Sequence, residues 1–315
     1  MQHIYLWLYL RWVFCLSAFF WGKTLTAQHS DSARHYAANK VNESVISMSD
    51  RSYITATEGL GNLDTPLLLE TSIAPTYFIR FGKSSRLGIS ISPKVVIRIA
   101  RKESFPVLTP SYTPRAVLYW RFRSPLAYLT QKSGLKKIIT PQHVTFLTLR
   151  FNHHSNGQAG SVFIPGTTDI NFDTGNFTTN SMELALNTAN FDSNASSNFV
   201  VYARAGFERH FNFNREADMK FLYYWQSVNA ELRFTVHKFI NVAFLFKHMT
   251  GIGTFEPQQS YDTWLSFRLG NYSDFSFFAR YYNGPDYYNL RYVNHISQVS
   301  FGLLVEPLNL PVFRR

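Results

Sequence analysis

The chain has 315 residues, a formal charge of +11, 17% aromatic and 16% charged residues, and a single cysteine. Its basic residues stand singly among apolar ones rather than in runs, which argues against a nucleic-acid partner. Cys15 falls in a segment expected to be removed, so the mature protein is expected to have neither thiol chemistry nor disulfides.

Residues 1–27 read as a signal peptide. Arg11 precedes the apolar run "WVFCLSAFFW", and "GKTLTA" ends on Ala27, a small residue suited to cleavage. The apolar run is too short to span a bilayer. Cleavage after Ala27 removes Arg11 and Lys23 and leaves a charge of +9. Residues 28–65 are rich in Ser, Asn and Thr and read as a polar N-terminal extension.

From residue 66 onward the sequence reads as a series of strands. In "RLGISISPKVVIRIA", Leu87, Ile89, Ile91, Val95, Ile97 and Ile99 share one parity, and Gly88, Ser90, Ser92, Lys94 and Arg98 take the other. "RAVLYWRFR" sets Ala116, Leu118, Trp120 and Phe122 against Arg115, Tyr119, Arg121 and Arg123. "SVNAELRFTVH" alternates Val228, Ala230, Leu232, Phe234 and Val236 with Asn229, Glu231, Arg233, Thr235 and His237. Successive strand side chains point to opposite faces, so each segment has an apolar and a polar side. Two architectures use such strands. A secreted β-sandwich buries the apolar side in a core. A closed antiparallel transmembrane β-barrel of about twelve strands turns it to lipid and encloses the polar side. Several strands carry Arg or Glu in mid-segment, as with Arg98, Arg121, Arg204, Glu208, Glu231 and Arg233, which favours the barrel, over residues 66–315. Glu183 and Glu208 are expected to make ion pairs in the lumen. "TANFDSNASSN" reads as a turn.

The same rule applied to "VTFLTLRFNHHS" puts Leu149, Phe151, His153 and Ser155 on the apolar, outward face and Arg150, Asn152 and His154 on the inward one. A histidine and a serine on a lipid-facing wall are disfavoured unless they sit at the interface or have a role. They stand about 7 Å apart at Cβ, within reach of a base serving a nucleophilic hydroxyl. In the next segment, "NFTTNSMELALN", Asn180 shares the parity of Met182, Leu184 and Leu186. Antiparallel pairing brings it beside His153. Adjacent His153 and His154 face opposite sides and so do not form a metal pair. Asp169 and Asp173 in "TTDINFDTGN" read as ordinary loop carboxylates more readily than as calcium ligands. Without the parity argument, "HHSNG" is simply good turn chemistry.

"HHSNG", His153–Gly157, resembles the His-x-Ser-Asn-Gly signature of the bacterial outer-membrane phospholipase A family. "YYNGPDYYNLRYVNHISQVSFGLL" (281–304) and "PSYTPRAVLYWRF" (110–122) are similar to strands of the same family, and the resemblance covers residues 70–306. It implies an outer-membrane, multi-pass barrel that hydrolyses acyl esters of membrane glycerophospholipids (A1/A2 type). It assigns His153 as general base, Ser155 as nucleophile, Asn180 as the group that holds the imidazole, and the Gly157 N–H as an oxyanion donor. It also implies calcium and an active homodimer. The calcium ligands would come from the main chain of Gln158 and from Asp173 or Thr178, and the interface from the wall around Leu147, Leu149 and Phe151. Gln158 stands where the family has an arginine, and the loop 158–176 is longer. Asn194 and Asn198 are alternatives to Asn180. The competing expectation is a non-catalytic outer-membrane barrel, a channel or scaffold, that carries a relic motif.

Overall fold

The structure, a computed structural model, describes residues 49–56, 61–63, 66–81, 86–122, 143–191, 199–211, 223–237, 239–251, 258–269 and 275–305. Among them, sixteen strand segments join into twelve strands. Strand β1 is Ser52–Ala56, extended by Gly61–Asn62. Strands β2 (Leu67–Ile73 and Tyr77–Arg80), β3 (Leu87–Ser92 and Val95–Ala100) and β4 (Ser111–Tyr112 and Arg115–Phe122) are each broken once. The breaks coincide with Pro75, Pro93 and Pro114, because a proline has no N–H to give to the ladder. Unbroken strands follow: β5 (His143–Ser155), β6 (Thr178–Phe191), β7 (Phe199–Phe211), β8 (Tyr224–His237), β9 (Ile240–Gly251), β10 (Gln258–Arg268), β11 (Phe275–Pro285) and β12 (His295–Val305).

Every strand pairs antiparallel with its neighbours in sequence. Pairing of β1 with β12, from Ser52 opposite Val305 to Ala56 opposite Phe301, closes the ring. Closure satisfies the backbone without an open edge, as a membrane-spanning sheet requires. No helix among the described residues is long and apolar enough to cross a membrane. The outward positions form an apolar belt: Leu184, Leu232, Phe244, Leu265 and Phe277 are all exposed. Leu232 is 42% exposed, so the two-sheet core of a sandwich is ruled out. The chain is a closed twelve-strand antiparallel barrel of the outer-membrane type.

Two sequence expectations need correction. The polar extension does not run to residue 65, because the barrel already begins at Ser52. In β1, Tyr53 and Thr55 are buried and Ile54 is exposed. With a polar lumen, a strand's inward positions can be hydroxyls, so a short strand of this kind reads as coil. "TANFDSNASSN" is not all turn either, since β6 continues to Phe191 and buries Ala189 against Val144. The rest of that segment, with Asn194 and Asn198, lies outside the described residues, as do residues 1–48 with the expected signal peptide.

The lumen carries a network of ion pairs and hydrogen bonds. Arg98 donates to Glu70 at 2.6 Å and to Asp286 at 2.7 Å, and lies over the rings of Tyr287 and Tyr288. Arg280 pairs with Asp262 at 2.8 Å, and Glu70 also accepts from Tyr53 and Tyr287. Further round the wall, Glu183 pairs with Arg204 and Arg150, Glu231 with Arg233, and Glu208 with Lys247. The expected luminal placement of Arg98, Arg204, Glu208, Glu231 and Arg233 is therefore observed, and Glu183 and Glu208 are ion-paired. Arg121 pairs across the ladder with the fully buried Phe146, which sets it on the inner face too.

Asp286 belongs to the β11–β12 connection, so its bond to Arg98 ties that connection to the barrel wall. Replacing Arg98 with Ala leaves Asp286 buried without its cation and Glu70 with Arg280 alone, 3.7 Å away, at a loss of roughly 3–5 kcal/mol. The variant should unfold at markedly lower temperature, read as loss of the folded band in heat-modified gel migration.

Candidate active site

The motif sits where β5 leaves the barrel. The β5–β6 ladder pairs Phe151 with Met182, His153 with Asn180 and Ser155 with Thr178. Phe151, Met182 and Leu184 are exposed on the belt, so His153, Ser155 and Asn180 share the outward face at its rim. The imidazole Nδ1 of His153 lies 2.9 Å from Asn180 Oδ1. An amide oxygen can only accept, so Nδ1 carries the hydrogen and Nε2 keeps its lone pair. Ser155 Oγ makes no hydrogen bond among the described residues. The ring is thus held with Nε2 unengaged by Asn180, and His153 and Ser155 make no hydrogen bond to each other.

His154 points the other way. Its Nε2 lies 2.7 Å from Ser111 Oγ, and its ring meets Phe177 edge-on at 4.6 Å. Below it, Asn152 donates to Ser181 at 3.0 Å, and Ser181 to Glu208 at 2.6 Å. These inward bonds fasten β5 to β6 and β7. Because the side-chain period is two, they also fix which face His153 presents.

The turn after the serine is built by Asn156, a residue that sequence reasoning left without a role. Its buried side chain donates to Gly175 O at 2.7 Å and accepts from the N–H groups of Phe177 (3.0 Å) and Gln158 (3.2 Å). Gly157 then adopts φ +69, a left-handed conformation that favours glycine. Its N–H donates to no group among the described residues. Tyr112, opposite Ser155 on the β4 side, was also missed. It occupies a two-residue strand segment beside a proline break, where alternation is too short to read.

Residues 158–176, expected as a long loop, fold into a compact roof. Gly160 bridges to Gly175 and Phe163 to Ile170. Val162 and Phe177 are fully buried against Tyr223, Leu290 and Tyr292, the last two on the 3-10 helix Asn289–Val293. Asn289 donates to Thr109 O, and Thr109 donates to Asp173 O, so three connections interlock over one mouth of the barrel. Gly284 enters this region with φ +148, and a Cβ there would lie 2.4 Å from that of Ser260.

Of the expected metal-site residues, Thr178 stands directly across from Ser155. Its hydroxyl is 3.4 Å from Asn176 Oδ1. The carbonyl of Gln158 accepts no hydrogen bond among the described residues. Asp173 is exposed on the roof, and only its main-chain oxygen is engaged. Asp169 is likewise exposed, with its carbonyl on Ile164 N. Among the described residues no three His, Cys, Asp or Glu side chains gather as a metal cluster.

No family model matches the chain, and no curated protein matches it. Solved structures do. The fold is similar to outer membrane phospholipase A from Escherichia coli, at 12% identity and a TM-score of 0.54 over 81% of this chain and 90% of that one. An active-site mutant of that protein gives 11% identity and 0.55 over the same shares. The outer membrane phospholipase dimer from Salmonella typhi, with bound calcium, gives 12% and 0.53 over 81% and 90%. At this identity the likeness establishes the barrel fold.

The Asn156 clamp can be tested apart from any activity. Asn156→Ala deletes three hydrogen bonds from a buried position and leaves two N–H groups without their acceptor. Each such loss is worth on the order of 1 kcal/mol. Segment 156–177 should become open to limited proteolysis while the barrel keeps its folded gel mobility.

Proposed function

We propose that the protein is a serine esterase of the outer membrane that hydrolyses acyl ester bonds of glycerophospholipids. The observation that carries this reading is the 2.9 Å contact between His153 and Asn180 on the lipid-facing wall, with Ser155 on the same strand face. A bilayer lipid reaches such a patch without entering the lumen.

The chemistry follows from the residues. Ser155 Oγ attacks the acyl carbonyl as His153 Nε2 takes its proton. Asn180, accepting from Nδ1–H, keeps the ring in the tautomer that can do this. The unclaimed Gly157 N–H donates to the oxyanion of the tetrahedral intermediate. The imidazolium returns the proton to the departing glycerol oxygen, leaving an acyl-serine. Water, deprotonated by the same Nε2, then releases the fatty acid and restores Ser155.

Calcium fits this site in kind. The oxygens beside Ser155 are the Thr178 hydroxyl, the Asn176 amide and the free Gln158 carbonyl, all hard neutral donors of the sort calcium takes. Gln158 and Thr178, or Asp173 on the roof, would hold the ion. When bound there it adds positive charge next to the developing oxyanion. The active form is a homodimer joined along the wall of Leu147, Leu149 and Phe151. The segment 1–27 is its export signal.

Purified protein in detergent should release fatty acid from phospholipid micelles. Ser155→Ala should abolish release and His153→Ala should come close, because the two act as one unit. Asn180→Ala should lose less, and His154→Ala should retain activity. All but the last leave the lumen untouched and should fold normally. Full activity in Ser155→Ala would overturn the reading.

Calcium and dimerisation are tested together, by titrating the ion while following mass in detergent. Activity should rise with calcium as dimer accumulates. Chelator-insensitive activity in a monomer would remove both and leave the triad.

A further inference from the structure

Among the charged strand residues whose side chains the structure describes, all but one point into the lumen. Arg98, Glu183, Arg204, Glu208, Lys247 and Arg280 are examples that line it or lie buried within it. The exception is Arg209, on β7, exposed between Phe207 and Phe211 on the outer face. It makes no hydrogen bond or ion pair among the described residues. An arginine facing lipid is costly at the bilayer midplane but nearly free near the interface. Arg209 stands two residues before Phe211, the end of β7, at the mouth that carries the 156–177 roof, so its long side chain can extend its guanidinium from the belt to the interface.

Its position relative to the candidate triad is fixed by register. Phe211 pairs with Asn180, and Arg209 pairs with Met182, which in turn pairs with Phe151. Arg209 is thus two strands and four residues from Ser155, or about 16 Å between Cα atoms. An extended arginine and a glycerophosphate backbone together bridge that span. The wall between them, Met182 and Phe151, is apolar and exposed, and Leu184 and Phe207 continue it deeper into the belt, a bed for acyl chains. At headgroup level the strong acceptor for a guanidinium is a lipid-borne phosphate, which it can hold with two parallel hydrogen bonds.

We propose that Arg209 is a substrate-positioning residue that holds the phosphate of a glycerophospholipid on the outer wall while its acyl ester lies at Ser155. This rests on the esterase reading for its consequence, but its binding half can be measured separately. The test compares phosphatidylcholine with diacylglycerol, which offers the same esters without a phosphate. Arg209→Gln should raise the apparent KM for phosphatidylcholine about tenfold with little change in kcat, the loss expected of one charge-assisted contact. Hydrolysis of diacylglycerol should not change, and Arg209→Lys should recover part of the difference. Equal losses on both lipids, or none on either, would overturn the proposal. Native mass spectrometry of detergent-purified protein supplies the second readout. The wild type should retain phosphatidylcholine in preference to diacylglycerol, and Arg209→Gln should not. If that preference depends on Arg209 while the wild type hydrolyses neither lipid, the anchor stands and the esterase reading falls. If the preference survives in Arg209→Gln, the anchor falls whatever the activity. Inorganic phosphate at millimolar concentration should fail to displace the bound lipid; displacement would mean a free-anion site and would overturn the lipid assignment.

Discussion

Closure of the hydrogen-bonded ring is the constraint on which the rest depends. In a bilayer the backbone must satisfy itself, and pairing β1 with β12 does so without an edge. Once the ring is closed, a side chain has only two destinations, lipid or lumen, and its parity decides between them. The lumen then holds the opposite charges of Glu70, Arg98, Asp286 and Arg280 within reach of one another, while the belt takes the leucines and phenylalanines. The basic balance of the chain and its wealth of aromatics are two aspects of this partition.

Register converts the partition into a possible site. A slip of β5 by one residue against β6 would present His154 to lipid and turn His153 inward, away from Asn180. Such a slip is opposed on the inner face, where Asn152 reaches Ser181 and Glu208, and His154 reaches Ser111. The polar network inside therefore does for the outer wall what a second layer of packing does for a pocket in a soluble enzyme. It fixes the geometry of groups it never touches.

Much of this was legible because alternation is a direct imprint of strand geometry. The outward placement of His153, Ser155 and Asn180, and the inward placement of His154, follow from counting residues along "VTFLTLRFNHHS" and "NFTTNSMELALN", and the 2.9 Å contact agrees with that count. Legibility failed where the imprint is short or where inward residues are not charged. β1 went unread because Tyr53 and Thr55 do not stand out from a polar lead-in. The end of β6 looked like a turn because Ala189 is small, and Tyr112 sits in a segment of two residues. The roof over 158–176 was unreadable for another reason. Its order comes from Val162 and Phe177 packing on Leu290 and Tyr292, more than a hundred residues away, and from Asn156, whose partners are main-chain atoms that no side-chain pattern announces.

That roof bears on chemistry at the rim. Gly157 owes its conformation to a turn whose two sides, 156–158 and 175–177, are held together by one asparagine. The 175–177 side is anchored in turn by Phe177 in the mouth cluster. The same cluster includes the 3-10 helix, and the connection that carries it is tied through Asp286 to Arg98 deep in the lumen. A continuous set of contacts therefore runs from the buried ion pairs of the barrel to the backbone N–H beside Ser155. An oxyanion donor needs such support, because a group that must reorganise as charge develops gives back part of what it stabilises. The barrel supplies this rigidity without burying the serine, and so leaves the candidate nucleophile at the surface where a lipid ester would meet it.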